Sequence, residues 1–390
     1  MRTVCLVGLL LFTGCDRSGS GESPDAGGSI GFALVTTASY TSTPPSGALG
    51  TVRLEDRRVA TAIDTTLDAD NDVRCAGGHC YVLDRTHGTV RIYDPAAGFR
   101  NAVEIRTGDT SFPAAQSNPH DALPIPGTSK LYVVLYNNRA AQALGVIDSD
   151  SAPAGQGVMR FVALPQAAGD ADGRPEPNNL YFCQGLVYVT LEDLDTGSPN
   201  YAPTGPGRIV AVDPGRDEVV AEIQLAGDNP VALAALTDDG SDCRRVLVAD
   251  GSLQFGAATG RGGIEEVDLG QRRSIRMVAL DTALGGHPGS VTLISSTLGY
   301  AVLNLADFTS KVVAFQPTTG ALLGDVAGPA GYIPFVQRTP AGREIYVGVN
   351  SGDPGNGQFA PGLYIGPADG SRLVATPIDL GQSPNAISFY

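Results

Sequence analysis

Tryptophan is missing from the 390 residues, and lysine occurs only at Lys130 and Lys311. The first absence removes the Trp-Asp signature of one repeat family and the tryptophan docking motifs of quinone-dependent dehydrogenases. The second leaves arginine as the main cation in a chain whose formal net charge is −15. So acidic a surface repels a phosphate backbone, which argues against nucleic acid as a partner. Charged residues are scarce, at 17%, whereas Gly numbers 50 and Pro 27. Long helices want Ala, Leu, Glu and Lys in periodic order, and no amphipathic helical pattern follows residue 14. No His-Glu-x-x-His helix or phosphate loop is present, and no Cys-x-x-Cys-His heme site. Ser, His and Asp occur at no spacing that nominates a triad. The sequence therefore nominates no catalytic residue, no cofactor and no metal site.

What the chain does have is a short apolar run that keeps returning. It reads Tyr81-Val82-Leu83, Tyr132-Val133-Val134, Tyr188-Val189-Thr190, Val246-Leu247-Val248, Tyr300-Ala301-Val302 and Tyr346-Val347-Gly348. The steps are about 46 to 58 residues, the range of a four-stranded propeller blade. One such blade cannot cover its own apolar faces, so a ring of blades is the economical arrangement. An apolar content of 42% is ample for its core.

Each blade should run A, B, C, D from the channel outward. Strand A often follows a proline, as at Pro119, Pro177, Pro230, Pro288 and Pro384, where a missing N–H costs nothing. Strand B is the Tyr-Val run. Strand C often closes in an Asp turn, as in Tyr93-Asp94-Pro95 and Val212-Asp213-Pro214. Strand D alternates like a half-exposed strand, as in Glu218 to Ile223 and Ser274 to Val278. Blades two to seven then span about 70–107, 117–166, 176–227, 228–283, 286–328 and 331–381. Residues 32–64 supply only three strands, Phe32 to Thr37, Gly50 to Leu54 and Arg58 to Asp64, and Gln382 to Tyr390 reads as a lone strand A. Joined, they make a seventh blade. The expected fold is an all-β, seven-bladed propeller over 31–390, closed by its N- and C-terminal strands.

Tyr188-Val189-Thr190, the Gly-x-x-Pro strand starts and the Val-Asp-Pro strand ends resemble the YVTN-type β-propeller repeat family. The likeness covers nearly all of the chain after the leader. It implies the propeller fold and, since members are commonly exported or surface proteins, an envelope address. The same blade style occurs in a family of sugar-acid lactonases.

Met1 to Gly14 reads as an export signal: Arg2 supplies a positive start, and Val4 to Phe12 is an apolar run too short to span a bilayer. It ends in Leu11-Phe12-Thr13-Gly14-Cys15, which resembles the bacterial lipobox, with Phe12 where such boxes usually carry Leu. The resemblance implies acylation of Cys15 (diacylglyceryl and palmitate) and removal of 1–14. Asp16 to Ser29 is Ser, Gly, Pro and acid, so 15–30 is expected to be a flexible tether. The expected address is the bacterial cell envelope, lipid-anchored to a membrane and facing periplasm or cell surface.

Beyond Cys5 and Cys15 four cysteines remain, an even count that suits disulfides in an oxidising compartment, with three possible pairings. Cys75 and Cys80 flank a hairpin turn. Cys183 and Cys243 both fall near A–B turns of consecutive blades. The favoured pairs are 75–80 and 183–243. A metal reading of Cys75, His79 and Cys80 lacks the second Cys or His pair of a zinc site.

Long B–C loops, Ala38–Ala48, Asn137–Ala143, Glu192–Gly207, Asp250–Gly263 and Ser351–Gly362, mark one end of the ring as the working face. Three carry an amide before an aromatic: Asn200-Tyr201, Gln254-Phe255 and Gln358-Phe359. Tyr201, Phe255 and Phe359 are candidate contacts to a polar ligand or a protein epitope. The segments leading into strand A add a second polar set, in which Asn118, His120, Asn178, Asn229, His287 and Asn385 are candidate ligand-binding residues. The expected function is a membrane-tethered, non-catalytic scaffold for a small polar ligand or an envelope protein. The alternative is a lactonase-like hydrolase with a divalent cation at the channel mouth.

Overall fold

The computed structural model describes residues 31–99, 103–108, 117–148, 160–168, 170, 172–197, 201–236, 242–253, 256–374 and 376–390. The leader, Cys15 and the tether lie outside them. Among the described residues no helix is long and apolar enough to cross a membrane.

Seven antiparallel sheets form the propeller. The first blade takes its innermost strand, Ser383–Phe389, from the C-terminus and its other three, Phe32–Ser39, Ser46–Arg53 and Val59–Leu67, from the N-terminus. Ile387 pairs with Val35 in this ladder, so the ring closes as the two ends of the sequence imply. Five further blades are four-stranded, and the seventh has three strands, Phe335–Arg338, Glu344–Val349 and Gly362–Pro367. Its outer position is reduced to one bridge between Leu363 and Ile378. Pro377, with no N–H to give, immediately precedes that bridge. The loop expected over Ala38–Ala48 is largely strand, because the ladder runs on to the Ser39–Ser46 pair.

The Tyr-Val strands work by alternation. In blade 3, Tyr132 and Val134 join the apolar cluster shared with blade 4, while Leu131, Val133 and Leu135 join the one shared with blade 2. Period 2 sends successive side chains to opposite faces, and in a ring both faces are buried. Seven such clusters fill the seven gaps between blades.

In four blades the recurring tyrosine hydroxyl latches the blade to the next. Tyr132 Oη donates to Asp217 in the C–D turn of blade 4, and Tyr188 Oη to the Leu269 carbonyl of blade 5 at 3.3 Å. Tyr300 Oη accepts from the Gly370 N–H of blade 7 at 2.8 Å, and Tyr346 Oη from Arg57 of blade 1 at 2.5 Å. Each ring is thus buried while its polar tip is satisfied at the rim.

Both disulfides form as favoured from the sequence. Cys75–Cys80 joins a directly opposed cross-strand pair of blade 2, and Cys183–Cys243 ties blade 4 to blade 5.

Candidate functional site

The segments entering strand A and the loops leaving strand B meet at one end of the channel. There they surround a cavity of about 940 Å³ that continues down the ring axis. A repeated backbone device builds this end. Asn118, Glu176 and Asn229, each just before the proline that opens strand A, adopt left-handed φ of 47°, 40° and 59°. Each carbonyl accepts an N–H from a residue leaving strand B of its own blade: Tyr136 at 3.0 Å, Glu192 at 3.2 Å and Gly251 at 2.7 Å. Asparagine tolerates this conformation better than most residues, whereas Glu176 holds it at a cost of about 1 kcal/mol or more. The device draws the residue following each Tyr-Val strand toward the channel.

A polar chain results. The His120 and Tyr136 rings stack at 4.1 Å between centroids with 12° between planes. Tyr136 Oη donates to Glu192 Oε2 at 2.7 Å, and Asn178 Nδ2 donates to Glu192 Oε1. Glu192 is 4% exposed. Burial pushes its carboxyl up to about 7, against the pull of Asn178, Tyr136 and Arg85. His120 is held well below the ordinary histidine value, by burial first and then by the Arg85 charge, so its ring is neutral. Tyr136 is raised by burial and by Glu192.

Two arginines line the cavity, each already facing carboxylates. Arg85 Nη2 lies 2.7 Å from Asp72, and its Nη1 3.4 Å from Asp70. Arg74 Nη1 lies 2.6 Å from Asp121, which also accepts the Leu180 N–H at 2.7 Å. Burial raises Asp72 to about 6, with Arg85 pulling it back. Several buried polar atoms here have no protein hydrogen-bond partner: Asn118 Oδ1, His120 Nδ1, Asn229 Oδ1 and Arg85 Nε.

The structure gathers some sequence candidates and separates others. Asn118, His120, Asn178, Asn229, Asn385 and Tyr201 all line the cavity. Asn385 also closes the ring, donating to the Asn71 carbonyl at 2.6 Å. Tyr201 is 56% exposed and sits at the lip, beside a two-residue hairpin of Leu194–Asp195 with Ala202–Pro203. His287 is fully buried below the short helix Asp281–Leu284, with Nδ1 3.4 Å from Asp281. Phe359, 6% exposed, packs away from the cavity into the core between blades 6 and 7, 4.9 Å from the Tyr364 ring and beneath Arg372. Its N–H donates to the Pro329 carbonyl at 2.9 Å, which ties this loop to the outer strand of blade 6, so the ring does not join Tyr201. Phe255 lies outside the described residues. Sequence reasoning missed Tyr136, Glu192 and Arg85 as site residues. Their shared signal is position, one place beyond the end of a Tyr-Val strand. Among the described residues no group of three or more His, Cys, Asp or Glu is placed to hold a metal ion.

Fold and site together define a seven-bladed β-propeller with a polar, partly aromatic central cavity. No protein-family model and no curated protein sequence matches the chain. The fold itself is widespread, with 1055 chains of solved structures matching, so a likeness of this kind selects no activity. A Bacteroides fragilis protein named for 6-phosphogluconolactonase is similar over 94% of this chain and 100% of its own, at 13% identity and a TM-score of 0.59. The hydrazine synthase of Kuenenia stuttgartiensis aligns over 69% of this chain and 68% of its own, at 18% identity and a TM-score of 0.48.

Proposed function

We propose that this propeller is a non-catalytic binding module of the YVTN-repeat kind, tethered to the bacterial envelope through Cys15, whose central cavity captures a small polar ligand. The observation that carries the reading is the convergence, on one cavity, of buried polar atoms without protein partners and a stacked His120–Tyr136 pair. Buried polar groups need hydrogen-bond partners, and a cavity with a few convergent polar groups on a rigid scaffold suits ligand capture. Tyr201 at the lip offers a flat apolar contact. The Cys15 acyl chain would hold the body near a membrane while 15–30 gives it reach.

A thermal-shift screen of small polar compounds tests the cavity. A true ligand at a hundredfold excess over its Kd stabilises the folded chain by about 2.7 kcal/mol. That stabilisation should vanish in His120→Ala and in Asn178→Ala while the unliganded melting temperature changes little. A ligand that still stabilises both variants would remove the cavity from the proposal. Turnover of a lactone by the purified chain would replace capture with hydrolysis. For the tether, Cys15→Ser should move the protein from the membrane fraction to the soluble one.

A further inference from the structure

We infer that the cavity selects a small ligand carrying a protonated amine over neutral or anionic molecules of the same shape. This rests on the cavity being the binding site and deepens that reading by naming the ligand's charge. The argument is a charge inventory of the cavity wall. Among the described residues its only cationic side chains are Arg74 and Arg85, and each is matched by carboxylates at 2.6 and 2.7 Å. His120 adds no charge. Glu192 is therefore the one lining carboxylate without a cation in contact, held only by the neutral donors Tyr136 and Asn178. The other charged or titratable groups acting on it are Arg85, Asp193 and Glu176. Asp193 is bound to Arg208 at 2.6 Å, and Glu176 is kept protonated at neutral pH by burial.

The unmatched hydrogen-bonding atoms point the same way. The two amide oxygens, Asn118 Oδ1 and Asn229 Oδ1, ask for donors, Arg85 Nε offers one, and His120 Nδ1 accepts or donates according to its tautomer. An ammonium group offers three N–H donors and no acceptor. Hydroxyls elsewhere on the ligand can serve the arginine. Tyr136, Tyr332 and Tyr201 line the same space, and aromatic rings attract cations. An anion would meet no free positive charge here and would face Glu192. The net charge of −15 draws cations toward the channel from solution.

A matched series isolates the charge. Glucamine, sorbitol and gluconate share a six-carbon polyol chain and differ only at the first carbon, which is ammoniomethyl, hydroxymethyl and carboxylate in turn. Titration calorimetry at pH 8 should rank them glucamine first and gluconate last. Glu192→Gln should weaken glucamine by about ten- to hundredfold and leave sorbitol nearly unchanged. Glucamine affinity should rise from pH 6 to pH 8 in the wild type, as Glu192 ionises near 7, and in Glu192→Gln should keep only the smaller rise, confined to the acid end, that Asp72 gives as it ionises near 6. Retained circular dichroism and melting temperature in that variant would show that it folds. Sorbitol or gluconate binding as tightly as glucamine would overturn the inference. If His120→Ala also abolished that binding, the cavity would stand and only the charge class would fall. Calcium chloride competing with glucamine for the site would overturn it in favour of a mineral cation, and no glucamine binding at all would overturn it outright.

Discussion

Three carboxyls near the channel, Asp72, Glu176 and Glu192, are held protonated above their ordinary range, to about 6, 9 and 7, with burial the largest cause in each. Between the ordinary and raised values the folded chain keeps a proton that the unfolded chain releases. Stability is therefore greatest below the ordinary carboxylate range and falls as pH rises through each raised value. The slope is at most about 1.4 kcal/mol per pH unit for each group. The melting temperature should thus decline from pH 5 to pH 9. Glu176→Gln should flatten the upper part, above pH 7, where Asp72 and Glu192 are already ionised. A wild-type melting temperature that climbs over this range, or a Glu176→Gln profile parallel to it, would contradict the assignment. The sequence showed the asparagines of this site, because each stands beside a strand-opening proline. It did not show Glu192 or Tyr136, since their one signal, a place just beyond a Tyr-Val strand, does not say that the strand ends at the channel.

At the level of elements, the Tyr-Val strands were readable because their demands are local: alternation, β-branched or aromatic side chains, and turn residues at both ends. Their latching role was not readable, because Tyr132, Tyr188, Tyr300 and Tyr346 find their partners in the next blade. The two disulfides act on elements differently. Cys183–Cys243 closes a separation of 60 residues and Cys75–Cys80 one of 5. On chain-entropy grounds the long closure stabilises by about 4 kcal/mol and the short one by about 2 kcal/mol. Urea denaturation of the two double Cys→Ser variants should show that order. Equal losses would mean that native contacts, not loop closure, set the effect. The aromatic trio divides at this scale: Tyr201 stays at the lip, whereas Phe359, its N–H bonded to the Pro329 carbonyl of blade 6, lies in the core.

The whole molecule depends on its closing strand. Ser383–Phe389 places Ala386 in the cluster between blades 1 and 2 and Ile387 in the one between blades 7 and 1. It also covers the backbone edge of Phe32–Ser39. Deleting 383–390 should expose that edge and give aggregation or a broad, non-cooperative calorimetric transition in place of one sharp peak. Adding the missing segment as a free peptide should restore a monomer on size exclusion. A truncated chain that stays monomeric with an unchanged melting temperature would show that the ring does not need its clasp.

The amino-acid sequence alone determined the repeat, the number of blades and the clasp between the ends, since strand period and turn chemistry act over short stretches or recur; it favoured the disulfide pairs that the structure then showed. Only the tertiary structure decided which polar side chains share the channel. Tyr136 meets Glu192 from 56 positions away and Asn385 meets Asn71 from 314, and such meetings follow from the radius of a closed ring, which brings the inner ends of all blades within reach of one another.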